Sequence, residues 1–493
     1  MTTENLAEYT INFNDIEGDE ELPELVKTWQ NTFSQVSRQN EFPAILAFFT
    51  MLGQLMKDFV RIPYGYTIED TRVHVCWIQN ARSGKSVLND FLSEIAESTW
   101  EQINDEDEVK FDTFDCVDFT DSALVSSYVE VKNPDRNEEG ETEFEWKEVK
   151  GHVEGSGLLL FDEFESSGIF KKMSNKDSMV TFFQKLMNTM CSDGYLIKRV
   201  LTGKPIATTS CQRSVWATSY MPEQVHQTIA EKGVLQRMFL YVREVPQEVL
   251  NEMRRTLITS IGTIKRRKTP TDRFAKAFVT LYEMARERYS ELESTFEERM
   301  EDIPEEERYN CPQEEMMIWG DGVRELAQME YDNMQGYLGK IPGNVRNIIG
   351  LFETNSLLYI TKMAVLCAIT ETPSRVNPNE KWVVTARNVR QASWIVRQGY
   401  MSLVAWMLTA VKEKRQTVAE TAGLNDFVNA YHNMPDSDNI DGWVPKTKWK
   451  LLLEEKYNIP HASFHRKYKK VEHRFESKRM FGKTVYIKLK EEE

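Results

Sequence analysis

A segment near residue 80 places the strongest constraint on how this chain folds. The apolar residues Val73 to Ile78 lead into the octet Gln79, Asn80, Ala81, Arg82, Ser83, Gly84, Lys85 and Ser86, and a helical pattern follows. In a strand, loop and helix of this kind the loop amides point at phosphate, the lysine reaches the β- and γ-phosphates, and the serine hydroxyl binds Mg²⁺. The segment therefore predicts a nucleoside triphosphatase in which the octet binds the nucleotide.

One position departs from the full phosphate-loop pattern. Gln79 stands where G-x-x-x-x-G-K-[ST] has its first glycine. A Gly-Lys-Ser tripeptide also arises by chance, so an ordinary turn between a strand and a helix is the alternative.

A second apolar run, Leu158 to Phe161, ends in the acids Asp162 and Glu163. This pattern is typical of a buried parallel strand whose carboxyl end opens onto a site. We expect Asp162 to hold Mg²⁺ through water and Glu163 to orient and deprotonate the attacking water. A core strand ending in a solvated acidic turn is the alternative, but the upstream Gly-Lys-Ser favours catalysis because the two elements agree.

Two further positions complete the predicted site. A third strand-like run begins at Ser214 and ends in Thr218 and Ser219, and we expect one of these hydroxyls to position the water. Arg237 directly precedes another apolar run. An arginine there is suited to reach the nucleotide of a neighbouring subunit and stabilise the transferring phosphoryl group. An ordinary surface arginine is the alternative.

Charge is distributed unevenly along the chain. The formal net charge is −16, yet residues 443–490 contain fourteen Lys and Arg against four Glu. A local excess of about ten positive charges predicts that this end binds DNA, because nucleic-acid affinity depends on a local positive field. A small solvated domain that docks other proteins is the alternative.

The basic end also has a predicted shape. Residues 424–434, 446–457 and 461–472 have helical patterns, and residues 474–480 and 484–489 flank a turn, which indicates a hairpin. This order predicts a winged helix-turn-helix. Its candidate DNA contacts are Arg466, Lys467, Lys469 and Lys470 on the third helix and Lys478, Arg479 and Lys483 on the wing.

The chain's 493 residues are enough for about three domains. Its six cysteines include no Cys-x-x-Cys pair, so neither a zinc site nor a disulfide framework is predicted. No apolar run approaches the about 18 residues that a membrane span requires. We therefore expect a soluble cytoplasmic protein, in the host cytoplasm if it is viral, with no membrane partner.

Taken in order, Gly-Lys-Ser, Leu-Leu-Leu-Phe-Asp-Glu, Ala-Thr-Ser and Gly-Val-Leu-Gln-Arg-Met-Phe resemble the AAA+ ATPase domain of phage and plasmid replicative helicases and primase-helicases, relatives of the superfamily 3 and minichromosome maintenance helicases. The similarity covers roughly residues 20–415. It implies an α/β fold with a helical N-terminal collar (1–70), an AAA+ P-loop core (71–268) and a helical lid (269–415). The winged-helix domain predicted from the basic end follows as residues 416–493.

The resemblance also implies roles for particular residues. Related hexameric helicases have a hairpin before the third strand that lines a central channel with a basic residue. Lys204 near the tip, or else Lys198 and Arg199, would match that residue, and an ordinary surface hairpin is the alternative. Arg346 and Lys362 are candidates for the lid cation. Residues 129–154 read as an exposed acidic hairpin inserted into the core.

These patterns together predict an ATP-driven DNA translocase that uses ATP and Mg²⁺. The resemblance further implies a homo-oligomeric ring, a hexamer, that acts as the replicative DNA helicase of a virus or mobile element with a separate primase or polymerase. One alternative is an AAA+ helicase loader, replication initiator or DNA-packaging-type motor. A further alternative is an NTP-gated interaction or defence switch protein.

Overall fold

A computed structural model describes residues 22–37, 40–104, 110–116, 124–136, 142–164, 177–191, 196–199, 204–220, 234–260, 271–301, 303–304, 309, 311–339, 341, 346, 349–350, 352, 355–371, 382–416, 427–457, 464, 468–469, 472–480 and 484–490. The chain divides into two compact units, Met1–Met407 and Leu408–Glu493.

The helices are α1 (Glu24–Val36), α2 (Glu41–Met56), α3 (Lys85–Asn104), α4 (Asp177–Leu186), α5 (Gln247–Ser260), α6 (Thr271–Ser294), α7 (Phe296–Glu301), α8 (Pro312–Glu315), α9 (Val323–Leu338), α10 (Ser356–Glu371), α11 (Ala386–Gln416) and α12 (Lys446–Tyr457). The strands are β1 (Ile62–Tyr64), β2 (Thr67–Glu69), β3 (Val75–Gln79), β4 (Phe111–Cys116), β5 (Ser127–Arg136), β6 (Thr142–Val149), β7 (Gly155–Phe161), β8 (Leu196–Arg199), β9 (Ala207–Ser219), β10 (Phe239–Arg243), β11 (Met317–Trp319), β12 (Trp382–Val384), β13 (Val444–Pro445), β14 (Phe475–Met480) and β15 (Thr484–Leu489).

A parallel sheet forms the centre of the first unit. Its strand order is β10-β3-β9-β7-β4, and β8 adds antiparallel to the early part of β9. All five residues of β3 are buried, as are six of the seven in β7, which fits strands covered on both faces. The three predicted strands are confirmed as β3, β7 and β9. Because these strands are parallel, their carboxyl ends lie at one edge of the sheet, which we call the carboxyl edge.

Helix α2 lies against the sheet and is buried from Pro43 to Met56. Gln54 inserts its amide into the sheet: Nε2 donates to the carbonyl of Gln212 at 2.8 Å, and Oε1 accepts from the Ser214 amide at 2.7 Å. A Cβ on Gly53 would come within 2.4 Å of the Thr71 carbonyl oxygen, so only glycine permits this close approach of backbones.

One hydrophobic core joins the N-terminal helices, the sheet and the later helices of the first unit. The fully buried indole of Trp29 on α1 has its ring near Phe48, Phe91, Phe274 and Phe278, with centroid distances between 5.0 and 5.8 Å. These rings come from α2, α3 and α6. Where the structure describes residues 271–416, their predicted helical character is confirmed, and the short parallel strands β11 and β12 pair between these helices.

Two of the predicted hairpins lie, in sequence, between β4 and the end of β9. Strands β5 and β6 pair antiparallel, which confirms the predicted inserted hairpin, and Phe144 and Trp146 on it are exposed. Strand β8 pairs with residues 207–210, which confirms a hairpin before the end of β9. Lys204 links the two, because its Nζ donates to the Tyr128 carbonyl at 3.2 Å and lies 5.7 Å from the Trp146 ring centre.

The second unit is small and has its own aromatic core. Residues 427–432 and α12 are helical, as are Phe464 and Tyr468, and β13, β15 and β14 form an antiparallel sheet in that order. Trp449 is fully buried among the rings of Phe427, Phe464, Tyr468 and Phe475. The predicted terminal hairpin is confirmed.

Among the helices described, none combines the length and apolar character needed to cross a bilayer.

Candidate nucleotide-binding site

The predicted phosphate-binding loop connects β3, which ends at Gln79, to α3, which begins at Lys85. Two of its residues have left-handed backbone angles, Arg82 with φ 61° and Gly84 with φ 84°. Glycine adopts such angles at little cost, whereas arginine does so under strain of the kind that collects at functional sites. The strand, loop and helix therefore have the order that the sequence predicted.

The side chain of Gln79 supports this loop. Its side chain is fully buried, accepting a hydrogen bond from Trp77 Nε1 at 2.9 Å and donating to Asn40 Oδ1 at 3.0 Å. Asn40 in turn donates to the carbonyl of Ser83 at 2.8 Å. The side-chain amide of Gln79 is therefore committed to protein partners beneath the loop, and the prediction that the octet binds nucleotide concerns its backbone at this position.

Other contacts hold the loop from its two sides. The side chain of Asn80 donates to the carbonyl of Val245 and accepts from its amide, each at 3.0 Å, which ties the loop to the segment after β10. Ser37 Oγ donates to the carbonyl of Gly84 at 3.3 Å. Ala81 and Arg82 have exposed side chains. The loop is thus braced from α1, α2 and the end of β10, which preorganises its backbone.

Lys85 lies at the mouth of the loop and is only 6% exposed. Its Nζ donates to the carbonyls of Gln79 at 2.6 Å and Asn80 at 3.1 Å. The same nitrogen is 4.2 Å from the ring centre of Tyr220. The ammonium therefore has carbonyls on one side and an aromatic face on another.

The predicted acids meet the loop at the carboxyl edge. Asp162, the first residue after β7, has its Oδ2 3.4 Å from Ser86 Oγ. Its other oxygen, Oδ1, accepts a hydrogen bond from Thr218 Oγ1 at 2.6 Å. Ser86 and Thr218, which are 76 and 56 positions away from Asp162 in the sequence, thus both contact its carboxylate.

The structure distinguishes between the two hydroxyls at the end of β9. Thr218 contacts Asp162, whereas the Oγ of Ser219 donates to the carbonyl of Tyr220 at 3.4 Å. Successive side chains of a strand point to opposite faces, so only one of the pair can face Asp162. Asn89 on α3 donates to Thr218 Oγ1 at 3.3 Å.

Glu163 follows Asp162 with a left-handed φ of 55° and an exposed side chain. Such a backbone angle is unfavourable for glutamate, and strain of this kind concentrates at active sites. The carboxylate accepts a hydrogen bond at Oε1 from the Tyr220 hydroxyl at 3.0 Å. Glu163 is therefore held beside Asp162, at the opening of the site.

The oxygen donors at this edge fit Mg²⁺. Mg²⁺ prefers oxygen ligands and is commonly held by one or two carboxylates together with substrate phosphates and water. Ser86 and Asp162 supply a hydroxyl and a carboxylate close to each other and next to the loop that would hold the phosphates.

Arg237 lies at the opposite edge of the sheet. It ends a short 3₁₀ helix, Leu235–Arg237, just before β10, whose first residue Phe239 pairs with Val75 at the start of β3. The phosphate loop follows the other end of β3, so Arg237 is separated from it by about 13 Å of strand or more. Arg237 is exposed and does not lie at the site of its own chain.

Lys362 also lies at that opposite edge. It is buried on α10 and donates to the Arg72 carbonyl at 3.1 Å and to Thr189 Oγ1 at 2.7 Å. It lines a cavity of about 240 Å³ together with His74 and Arg237. Lys362 is therefore not a lid cation over the phosphate loop, which corrects that expectation.

Charged side chains in and next to the lining of this cavity are buried and form ion pairs. Asp70 accepts a 2.8 Å hydrogen bond from Arg72 Nε, and neither side chain is exposed. Burial by itself would raise the pKa of Asp70, but Arg72 and Lys362 outweigh it and lower that pKa. Burial lowers the pKa of Lys362. His74 accepts from the Val215 amide at 3.0 Å, and burial, with the nearby cations, lowers its pKa well below the ordinary value.

The candidate DNA-binding residues fall in both units. Lys198 and Lys204 are exposed on the hairpin before β9, where Arg199 is also located. In the second unit Lys469, Lys478 and Arg479 are exposed. The remaining candidates, Arg466, Lys467, Lys470 and Lys483, lie outside the described residues. Of the two lid candidates, Arg346 is exposed.

Sequence patterns missed three residues of the site: Asn40, Asn89 and Tyr220. Asn89 carried a weak signal, since it lies one helical turn after Lys85 on the same face of α3. Tyr220 directly follows the predicted hydroxyl pair. Asn40 had no signal in the sequence, because its contacts depend on how α2 packs.

No protein-family model matches this chain, and no curated protein matches it.

Proposed function

We propose that this chain is an ATPase that couples hydrolysis at the Lys85 site to movement along DNA. The observation that carries the proposal is the meeting of Ser86, Asp162 and Thr218, with contacts of 3.4 and 2.6 Å, beside a loop that ends in Gly-Lys. A loop of this kind and an acidic strand end at one edge of a parallel sheet would place bound phosphates beside a metal-binding carboxylate, which supports triphosphate hydrolysis.

Each residue has a distinct part in the proposed reaction. Lys85 and the loop amides bind the phosphates, and Ser86 and Asp162 hold Mg²⁺. Bound Mg²⁺ would neutralise charge on the β- and γ-phosphates. Glu163 orients the water and accepts its proton, and Thr218 senses the γ-phosphate from its position against Asp162.

An AAA+ architecture is supported by the sheet order and by Arg237. Strand β9, which carries Thr218, lies between β3 and β7, and this arrangement puts a polar side chain between the loop and the acids. Arg237 is exposed at the edge of the sheet opposite its own site and so is suited to complete the site of an adjoining subunit in a ring. We further propose that this ring is hexameric.

DNA is the proposed track because the second unit combines the chain's basic stretch with a suitable shape. Helices followed by an antiparallel hairpin support a winged helix-turn-helix, with Lys478 and Arg479 exposed on the wing. Residues 443–490 contain fourteen Lys and Arg against four Glu, and this excess provides a positive electrostatic field that attracts the DNA backbone. Within this proposal the protein is a replicative helicase of a virus or mobile element, and another chain supplies priming or polymerisation.

The decisive experiment compares ATP binding with ATP hydrolysis. Glu163→Gln should bind ATP with nearly the wild-type Kd and turn over at least about 100-fold more slowly, because it loses the general base. Glu101→Gln, an exposed site on α3, is the matched control and should match the wild type. Normal hydrolysis by Glu163→Gln would remove Glu163 from its role.

Two assays separate the helicase from its alternatives. A loader, initiator or packaging-type motor would share the hydrolytic site and DNA binding but would not displace a strand from a forked duplex. An NTP-gated interaction or defence switch would hydrolyse ATP at a rate that DNA does not change. Strand displacement together with DNA-stimulated hydrolysis is the result we expect.

A further inference from the structure

Tyr220 contacts both of the charged groups on which the proposed hydrolysis depends. It is the first residue after β9, at the same edge of the sheet as the phosphate loop. Its ring centre lies 4.2 Å from Lys85 Nζ, and its hydroxyl donates to Glu163 Oε1 at 3.0 Å. A single side chain thus connects the phosphate-binding cation to the water-activating carboxylate.

The contact between the Tyr220 ring and Lys85 limits which other groups the ammonium can bind. Its ammonium donates to the carbonyls of Gln79 and Asn80, and its side chain is buried although its task requires contact with phosphates. An ammonium bound to two carbonyls and faced by an aromatic ring has most of its coordination directions filled. To bind a β- or γ-phosphate, Lys85 must exchange at least one of these partners.

The hydrogen bond from Tyr220 also limits the access of water to the Glu163 carboxylate. A phenol that donates to a carboxylate occupies the oxygen that receives it. That oxygen must lose the hydroxyl before it can accept a proton from water along the same direction. The hydrogen bond joins the side chains of Tyr220 and Glu163, so freeing the carboxylate requires one of these side chains to move.

We propose that Tyr220 is a positioning residue that holds Lys85 and Glu163 in a resting arrangement and is displaced when a nucleoside triphosphate binds. The proposal rests on the proposed ATPase function and extends it. Phosphate oxygens replace the ring as the partner of Lys85, and withdrawal of the hydroxyl leaves Glu163 free to take a proton from water. Nucleotide binding itself then frees Glu163. Hydrolysis is therefore suppressed until the nucleotide is correctly bound.

Two variants separate the contacts. Tyr220→Phe keeps the ring on Lys85 and loses only the donor to Glu163, whereas Tyr220→Ala loses both. Isothermal titration with a non-hydrolysable ATP analogue should show Tyr220→Ala binding about 3- to 30-fold more tightly than the wild type, the range that one cation–π contact covers. Tyr220→Phe should bind nearly as the wild type does and have a kcat for DNA-free hydrolysis higher by up to about 10-fold. Unchanged or weaker binding by Tyr220→Ala would overturn the proposal.

A nucleotide-free measurement distinguishes failure of this inference from failure of the ATPase function. Lys85 acetylation by acetic anhydride, quantified by peptide mass spectrometry, should be faster in Tyr220→Ala than in the wild type, with the exposed Lys276 as internal control. Unchanged Lys85 labelling, with unchanged melting temperature and Lys276 labelling, refutes the resting contact even in an active ATPase. If the wild type binds no nucleotide, the ATPase function and the displacement step both fail, whatever the labelling shows.

Discussion

The Oγ1 of Thr218 donates a 2.6 Å hydrogen bond to Oδ1 of Asp162, joining the ends of two adjacent strands of the central sheet. The hydroxyl of Thr218 also accepts from Asn89 on α3, so its single proton is directed at the carboxylate. Because β7 and β9 are neighbours, Thr218 can fix the orientation of the Asp162 carboxylate, which is a candidate metal ligand.

Removing that hydroxyl should slow hydrolysis more than it weakens nucleotide binding. We expect Thr218→Ala to lower kcat by about 10- to 100-fold, the value of a hydrogen bond to a charged group. Thr218→Ser keeps the hydroxyl and should retain most of the activity. Steady-state kinetics with measured Kd values would check this, and equal kcat values for both variants would contradict it.

Asn40 should matter although it is outside the phosphate loop. Asn40→Ala removes the donor to Ser83 and the acceptor for Gln79, and leaves both partners buried without that bond. We expect a loss of about 1–3 kcal/mol in the free energy of unfolding and a higher Kd for ATP. Asn31→Ala, at an exposed position on α1, is the control and should change neither quantity. An unaltered Kd for Asn40→Ala would show that the loop does not need this brace.

Arg237 should act in the site of a neighbouring subunit. Arg237→Ala alone should lose about 10³-fold or more in hydrolysis, the effect of a missing arginine finger. Mixing it with Glu163→Gln subunits, which keep Arg237, should restore activity, because each Arg237→Ala site then receives a neighbour's arginine. Arg255→Ala, an exposed arginine on α5, should behave as the wild type. Intact mixed rings without rescue would argue against action between subunits.

The wing of the second unit should contribute to DNA affinity through phosphate contacts. Replacing both Lys478 and Arg479 with alanine should weaken DNA binding for all sequences and reduce the slope of log K against log salt by up to about 2. Lys276→Ala, an exposed lysine on α6, should leave affinity and slope unchanged. Fluorescence anisotropy at several salt concentrations measures both, and an unchanged slope for the double variant would exclude these contacts.

His74 should make the fold sensitive to acid. Its pKa in the folded protein lies well below the ordinary value because of burial, so the folded state keeps it neutral while the unfolded chain protonates below pH about 6.5. The unfolded state then binds more protons, and stability falls as the pH falls. His74 alone should cost about 1.4 kcal/mol between pH 7.5 and 5.5. His74→Asn keeps an acceptor for the Val215 amide, and denaturant titrations should show a correspondingly smaller loss.

Local patterns in the chain were sufficient to predict β3, β7 and β9, the loop between β3 and α3, the three hairpins and helix α12. Apolar periodicity and turn residues act over a few positions, and the segments around Ile78, Phe161 and Thr218 carry strong forms of both. They also predicted that the acids and the Gly-Lys-Ser loop would share one edge, since parallel strands place their carboxyl ends together.

Long-range packing decided which side chains meet. Whether Thr218 or Ser219 faces Asp162 depends on strand facing, and the burial of Gln79 against Asn40 depends on where α2 lies. Lys362 is far along the chain from the residues it contacts, and only the position of α10 brings it to Thr189. Such contacts join residues separated by tens to hundreds of positions, where no local periodicity constrains the distance between two side chains.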